Sequence, residues 1–135
     1  MSRTNESESE SEIQSLLQIE APFHHAQLLR NNSGAFENAE GQWIRFGLGN
    51  ISKKHGERIK SSDLIGFQTI QVTQAMVGQT LAVFVAVEVK KPGWKRNLKD
   101  ARENAQEAFI DWILAAGGKA GFASSIADFR RIIGL

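Results

Sequence analysis

Asp63, Glu88 and Lys90 are the residues whose types and spacing point most directly to chemistry. Glu88 and Lys90 stand two positions apart, just after the apolar run Leu81-Ala82-Val83-Phe84-Val85-Ala86-Val87. Side chains on a strand alternate with period two, so Phe84, Ala86, Glu88 and Lys90 share one face. Two apolar residues thus give way to a carboxylate and an ammonium. Burying either charge without a partner is costly, so the pair reads as an ion pair at the edge of a core, as two residues that have reached water, or as working groups. Asp63 follows Ser61-Ser62 and opens the apolar Leu64-Ile65-Gly66-Phe67. If residues 62–74 and 80–89 pair as adjacent antiparallel strands, Asp63 comes close to Glu88 at one end of a sheet. Two carboxylates offering only oxygen ligands suit Mg²⁺ or Mn²⁺. A neighbouring lysine can orient or deprotonate a metal-bound water, or offset charge on a phosphorus centre. Taken alone, Asp63 reads equally well as a turn or strand-start residue.

The elements that must position these groups follow from periodicity. Residues 1 to about 8 are rich in Ser and Glu and read as a flexible acidic tail. Ile13, Leu16, Leu17 and Glu20 follow helical spacing up to Ala21-Pro22, which predicts a helix over residues 9–20. Ala26 to Arg30 reads as a short strand, Asn31-Asn32-Ser33-Gly34 as a turn, and Gln42 to Phe46 as a second strand. A polar, basic loop runs from Gly47 to Lys60, long enough to suggest a functional or mobile segment. Asp63–Phe67 and Thr69–Thr73 are strand-like. Thr80–Val89 reads as a central strand buried on both faces, rich in β-branched residues and ended by Pro92-Gly93. Lys99–Ala116 is predicted as an amphipathic helix with Ala101, Ala105, Ala108, Phe109, Trp112, Ile113 and Ala116 along its apolar stripe, stopped by Gly117-Gly118. Gln106 flanks that stripe. Lys119–Ser124 is a candidate strand and Ile126–Ile133 a closing helix. The order predicts an α/β fold, with a mixed sheet flanked by helices.

Composition narrows the possible functions. The 135 residues suffice for one domain, and 41% apolar with 23% charged residues is ordinary for a globular chain. There is no cysteine, which removes disulfides, thiolate metal sites and thiol nucleophiles. No apolar run approaches the roughly 20 residues of a membrane helix, and the polar, acidic start is unlike a secretory signal, so an intracellular protein is expected. The formal net charge of +1 is uneven. Between Arg30 and Lys99 there are eleven Lys and Arg residues against five Asp and Glu, a segment suited either to a phosphate backbone or to a solvated face. His24 and His25 are adjacent and would point to opposite faces of a strand, so with His55 they read as surface histidines. Trp94, beside Lys95 and Arg96, suits either stacking on a base or packing at the rim. There is no Gly-rich phosphate loop and no serine nucleophile elbow.

Ser62-Asp63, 24 residues and then Glu88-Val89-Lys90 resembles the PD-(D/E)xK nuclease core, with Ser62 at the usual proline. The chain is similar, more narrowly, to stand-alone VRR-NUC domains of the phage and prophage type. The resemblance rests on six pieces in order: Arg30-Asn31-Asn32-Ser33-Gly34, Trp43-Ile44-Arg45-Phe46-Gly47, Ser61-Ser62-Asp63-Leu64-Ile65-Gly66, Val87-Glu88-Val89-Lys90-Lys91-Pro92, Gln106-Glu107-Ala108-Phe109-Ile110 and Gly117-Gly118-Lys119-Ala120-Gly121. The likeness as a whole, first helix included, covers roughly residues 10 to 125, so that residues 9–135 form the expected nuclease domain. Lys60 stands where a glycine commonly precedes the Ser-Ser-Asp, and the loop from Gly47 to Lys60 is longer and more basic than in the shortest relatives.

The resemblance implies a Mg²⁺- or Mn²⁺-dependent deoxyribonuclease from a bacterial cytoplasm, encoded by a phage or prophage. Its metal ligands fall on Asp63, Glu88 and the carbonyl of Val89, its lysine on Lys90 and its helix glutamine on Gln106. The glutamate of the family's first helix falls on Glu10, three residues before Ile13-Gln14, with Glu12 as the competitor. Both also suit the positive end of a helix dipole. DNA contacts are expected from Arg30, Arg45, Lys53, Lys54, Lys60, Lys91 and Lys95. By the same likeness the substrate is branched DNA, such as a Holliday junction or a flap, cut by a homodimer. The rival reading is a non-catalytic DNA-binding or assembly module on the same fold. Within enzymes, the rival is a nuclease with restriction-like sequence specificity, for which no base-reading element stands out.

Overall fold

The computed structural model describes residues 9–54 and 60–135; the expected acidic tail over residues 1–8 lies outside them. Within the described residues the chain is a mixed α/β protein with three helices and six short strands. It divides into two compact units, residues up to Gln68 and residues from Thr69 onward.

The first unit begins with α1 (Glu10–Glu20). Its start is fixed by a capping box: the Ser9 hydroxyl accepts from the Glu12 backbone N–H, and the Glu12 carboxylate accepts from the Ser9 N–H. Ala21–His24 tighten into a 3₁₀ turn with Pro22 near its start, as the Ala21-Pro22 break leads one to expect. Ala21 is the buried residue here. His25 then takes the left-handed conformation (φ 57°) and turns the chain into β1 (Ala26–Arg30). β1 pairs antiparallel with β4 (Leu64–Gln68), Arg30 opposite Leu64 and Leu28 opposite Gly66. Glycine is required at position 66, because a Cβ there would fall 1.7 Å from the Gln27 carbonyl oxygen. Between these strands lies a hairpin of β2 (Gly34–Glu37) and β3 (Trp43–Phe46). Its turn is organised by Asn38, whose side-chain oxygen accepts from the N–H groups of Glu40 and Gln42. Gly47 leaves β3 with φ 100° against Ser33, where a side chain has no room.

The second unit is built on the parallel pair β5 (Val85–Val89) and β6 (Lys119–Ala123), Glu88 opposite Phe122. α2 (Ala101–Ala115) connects them, as a parallel pair demands a crossover. Asp100 caps α2 by accepting from the Glu103 N–H. Gly117-Gly118 ends it as the sequence predicts: the Gly118 N–H bonds the Ile113 carbonyl, and the Gly117 N–H, at φ 98°, bonds that of Leu114. These are the paired closing bonds of a Schellman motif. α3 (Ile126–Ile133) follows with Ser125 as its cap and packs on β6. Ile113, 1% exposed, is the centre of this unit's core, with Ile110 and Ala123.

Three expectations are corrected. Residues 62–74 and 80–89 do not pair with each other: β4 takes β1, β5 takes β6, and each ladder has two strands. Thr69–Thr73 is not a strand and leads into a 3₁₀ turn at Gln74–Met76. The apolar run from Thr80 forms a strand only from Val85, where β6 supplies a partner, and it is not buried on both faces, since Leu81, Val83, Val85 and Val89 are all exposed. β2 begins at Gly34, the last residue of the expected turn, and runs through residues for which the sequence suggests no element.

Candidate nuclease site

The end of β5 carries the geometry of interest. Lys90 continues the strand by one residue, its N–H bonding the Ala123 carbonyl at 2.8 Å. Its Nζ donates to Gln106 Oε1 at 2.7 Å, and Gln106 Nε2 donates to Glu88 Oε1 at 2.8 Å. Glutamine suits this position because it presents an acceptor to the ammonium and a donor to the carboxylate. Glu88, Lys90 and Gln106 are all half-buried, so each bond is made where water screens it less. The alternation that placed Glu88 and Lys90 on one face of the strand is what lets a single side chain reach both.

Gln106 gets there by an unexpected route. α2 buries Glu103, Ile110 and Ile113, with Gln106 and Glu107 half-covered between them. At 100° per residue these five occupy one continuous stripe. Ala101, Ala105, Ala108, Phe109 and Trp112, expected on the buried face, lie on the exposed side. The reason is a charge cluster that apolar periodicity does not reveal. The Arg96 guanidinium donates to Glu107 Oε2 at 2.7 Å and to Asn104 Oδ1 at 2.6 Å, and lies 4.0 Å from Glu103 Oε1. Glu103 also accepts from the Asn97 N–H. These bonds fasten the segment after Lys90 to α2 and turn the helix so that Gln106 faces the strand.

Lys90 is also boxed by aromatic rings. Its Nζ lies 5.6 Å from the ring centroids of both Trp94 and Phe122, within the range of a cation–π contact. The two rings pack on each other at 4.8 Å. Trp94 is therefore a packing residue, and Arg96 faces carboxylates rather than solvent. Phe122 was not anticipated; its place opposite Glu88 in a parallel ladder is invisible until the partner strand is known.

In the first unit Asp63 stands exposed, one residue ahead of β4. Its backbone is held from the end of β1: the Asn31 N–H donates to the Asp63 carbonyl at 2.9 Å. The Asn31 side-chain amide donates to Ser61 Oγ and to the Ser62 carbonyl, both at 2.8 Å. Glu10 is exposed in the first turn of α1, whereas Glu12 is committed to the capping box. Arg30, Arg45, Lys53, Lys54 and Lys60 are exposed in this unit, and Lys91 and Lys95 in the second. Arg30 leans on Gln18 Oε1 at 3.4 Å, and Arg45 on Asn50 Oδ1 at the same distance. His24 pairs with Glu20 across one helical turn, His25 serves the chain reversal, and His55 lies outside the described residues.

The structure thus brings Glu88, Lys90 and Gln106 together in one unit and anchors Asp63 in the other. The Ser61-Ser62-Asp63 piece meets Asn31 of Arg30–Gly34, whose Ser33 meets Gly47 at the end of Trp43–Gly47. The Val87–Pro92, Gln106–Ile110 and Gly117–Gly121 pieces meet in the second unit. Among the described residues, no three His, Asp or Glu side chains converge into a metal-holding group. Taken unit by unit, the donor types are ones a hard dication accepts: the Asp63 carboxylate in the first unit, and the Glu88 carboxylate and Val89 carbonyl in the second. Gln106 engages one Glu88 oxygen, and the other takes no hydrogen bond from the described residues. No helix among them is long and apolar enough to cross a membrane. No family model, curated protein or solved structure matches the chain.

Proposed function

We propose that this chain is a Mg²⁺- or Mn²⁺-dependent DNA endonuclease of the PD-(D/E)xK type, similar to stand-alone VRR-NUC domains and directed at branched DNA such as Holliday junctions or flaps. The observation that carries the reading is the hydrogen-bonded series Lys90–Gln106–Glu88 at the end of β5. A structural salt bridge would pair Lys90 with Glu88 directly. Here a neutral amide holds the two apart, each in a fixed orientation, as an acid–base site needs.

By the likeness, Asp63 in the first unit and Glu88 and the Val89 carbonyl in the second would serve as metal ligands, and the metal when bound would supply a water of lowered pKa and polarise the scissile phosphate. Lys90 positions the attacking water or offsets charge at the attacked phosphate. Gln106 fixes Lys90 and Glu88 relative to each other, and Glu10 orients water from α1. Arg30, Arg45, Lys53, Lys54, Lys60, Lys91 and Lys95 grip the phosphate backbone, which positions the duplex without reading its sequence. The working species in this reading is a homodimer, with one site for each of two symmetric strands. Sedimentation at micromolar concentration tests that part, and a monomer alone would count against it.

The reading is tested with end-labelled four-way junction, flap, single-stranded and linear duplex DNA, incubated with Mg²⁺, Mn²⁺ or EDTA beside Asp63→Ala. Metal-dependent cutting that the variant loses supports the nuclease, and the order of substrates names its class. Binding without cutting in either metal favours the assembly-module alternative.

A further inference from the structure

Asn31 makes three hydrogen bonds to the three residues that end in Asp63. Its backbone N–H meets the Asp63 carbonyl at 2.9 Å, and the two N–H bonds of its side-chain amide reach Ser61 Oγ and the Ser62 carbonyl at 2.8 Å each. The β1–β4 ladder ends with Arg30 opposite Leu64, so this contact extends the order of the sheet past its last rung. Among short polar side chains, aspartate has no donor and a serine hydroxyl has one, whereas the asparagine amide offers two in a plane. Asn31 is half-buried, whereas Asp63 and Ser62 are exposed. The segment carrying the carboxylate has little apolar packing of its own, and its backbone is set by these bonds.

We propose that Asn31 is a positioning residue for Asp63, holding the Ser61–Asp63 backbone in the conformation from which the carboxylate binds a divalent cation. This rests on the proposed metal-dependent reading of Asp63 and adds a residue whose side chain touches neither metal nor DNA. An outer-shell partner of this kind is worth about 10- to 100-fold in metal affinity.

The test uses Mn²⁺ alone, without DNA, on the ¹⁵N-labelled full chain, following paramagnetic broadening of the Ser62 and Leu64 amide signals. In the wild type these signals broaden at low Mn²⁺, and in Asp63→Ala they do not. Asn31→Ala is expected to need about tenfold or more Mn²⁺ for the same broadening, and Ser61→Ala a smaller increase, because the amide keeps the Ser62 carbonyl. Asn31→Ala with a dispersed, folded spectrum and wild-type Mn²⁺ dependence would overturn the proposal. If Asn31→Ala does not fold, Ser61→Ala decides in the same way, an unchanged titration being contrary. Absence of broadening in the wild type would remove both this role and the metal reading of Asp63. An unchanged Asn31 variant beside a responsive wild type would remove this role alone.

Discussion

Lys90 and Glu88 share one face of β5 but are joined only through a third side chain: Lys90 donates to Gln106 at 2.7 Å, and Gln106 donates to Glu88 at 2.8 Å. The amide is oriented by both neighbours, since reversing it would set its NH₂ against the ammonium and its oxygen against the carboxylate. The site is thus held by complementary polarity as well as by packing.

Substitution of Gln106 separates these contributions. Gln106→Ala removes two hydrogen bonds to charged groups and should cost about 2 kcal/mol or more of stability, while slowing cleavage about 10²-fold through misplacement of Lys90 and Glu88. Gln106→Glu keeps an acceptor for Lys90 but sets a carboxylate against Glu88, so at neutral pH it should be no better than alanine. Thermal melts and single-turnover cleavage on the same preparations check both expectations.

Trp94 makes a different prediction. Its ring packs on Phe122 and lies over Lys90. Trp94→Phe should keep most of the activity, while Trp94→Ala should lose about 1 kcal/mol from the aromatic pair and lower the cleavage rate more than DNA binding. A wild-type rate in Trp94→Ala would show that the box does not matter to Lys90.

Asp128 gives a pH dependence. The N–H of Ser124 and then its hydroxyl hold the carboxyl below the ordinary value of 3.8, with Arg131 adding to the effect. The folded state therefore binds the proton less readily than the unfolded state, and the contribution is present above pH 3.8 and lost as the pH falls through the lower folded value. Asp128→Asn should lower the melting temperature at pH 7, and the gap to wild type should close in acid below that window. A gap independent of pH would contradict this account.

The exposed lysines should act additively and without regard to sequence. Lys91→Ala and Lys95→Ala should each weaken binding to all DNA forms to a similar degree and reduce the slope of log K against log salt by about one unit. Arg96→Ala should instead destabilise the fold, because its guanidinium is turned to Glu107 and Asn104.

Much of this was legible in the sequence where local chemistry decides. The strand Ala26–Arg30, the closing helix Ile126–Ile133 and the Gly117-Gly118 stop stand where periodicity and cap residues put them. Glu88, Lys90 and Gln106 were named from alternation and family likeness, and they meet in space. What failed depended on partners distant in sequence. β5 is short because its ladder partner β6 is short. α2 turns its polar-centred face inward because Arg96 pairs with Glu107 and Asn104, and such a pairing leaves no periodic signal. Asn31-Asn32-Ser33-Gly34 reads as turn chemistry, which hid both the strand beginning at Gly34 and the clasp that Asn31 makes on Ser61–Asp63.

The central claim, that Lys90 serves the chemistry and not the grip on DNA, is tested most directly by measuring cleavage and binding of one labelled four-way junction with wild type and Lys90→Ala, in Mn²⁺ for cleavage and in Ca²⁺ for binding. The account predicts cleavage by the wild type that EDTA abolishes, cleavage by the variant reduced to the EDTA background, and nearly equal binding constants. Wild-type cleavage by Lys90→Ala, or equal loss of cleavage and binding, would contradict it.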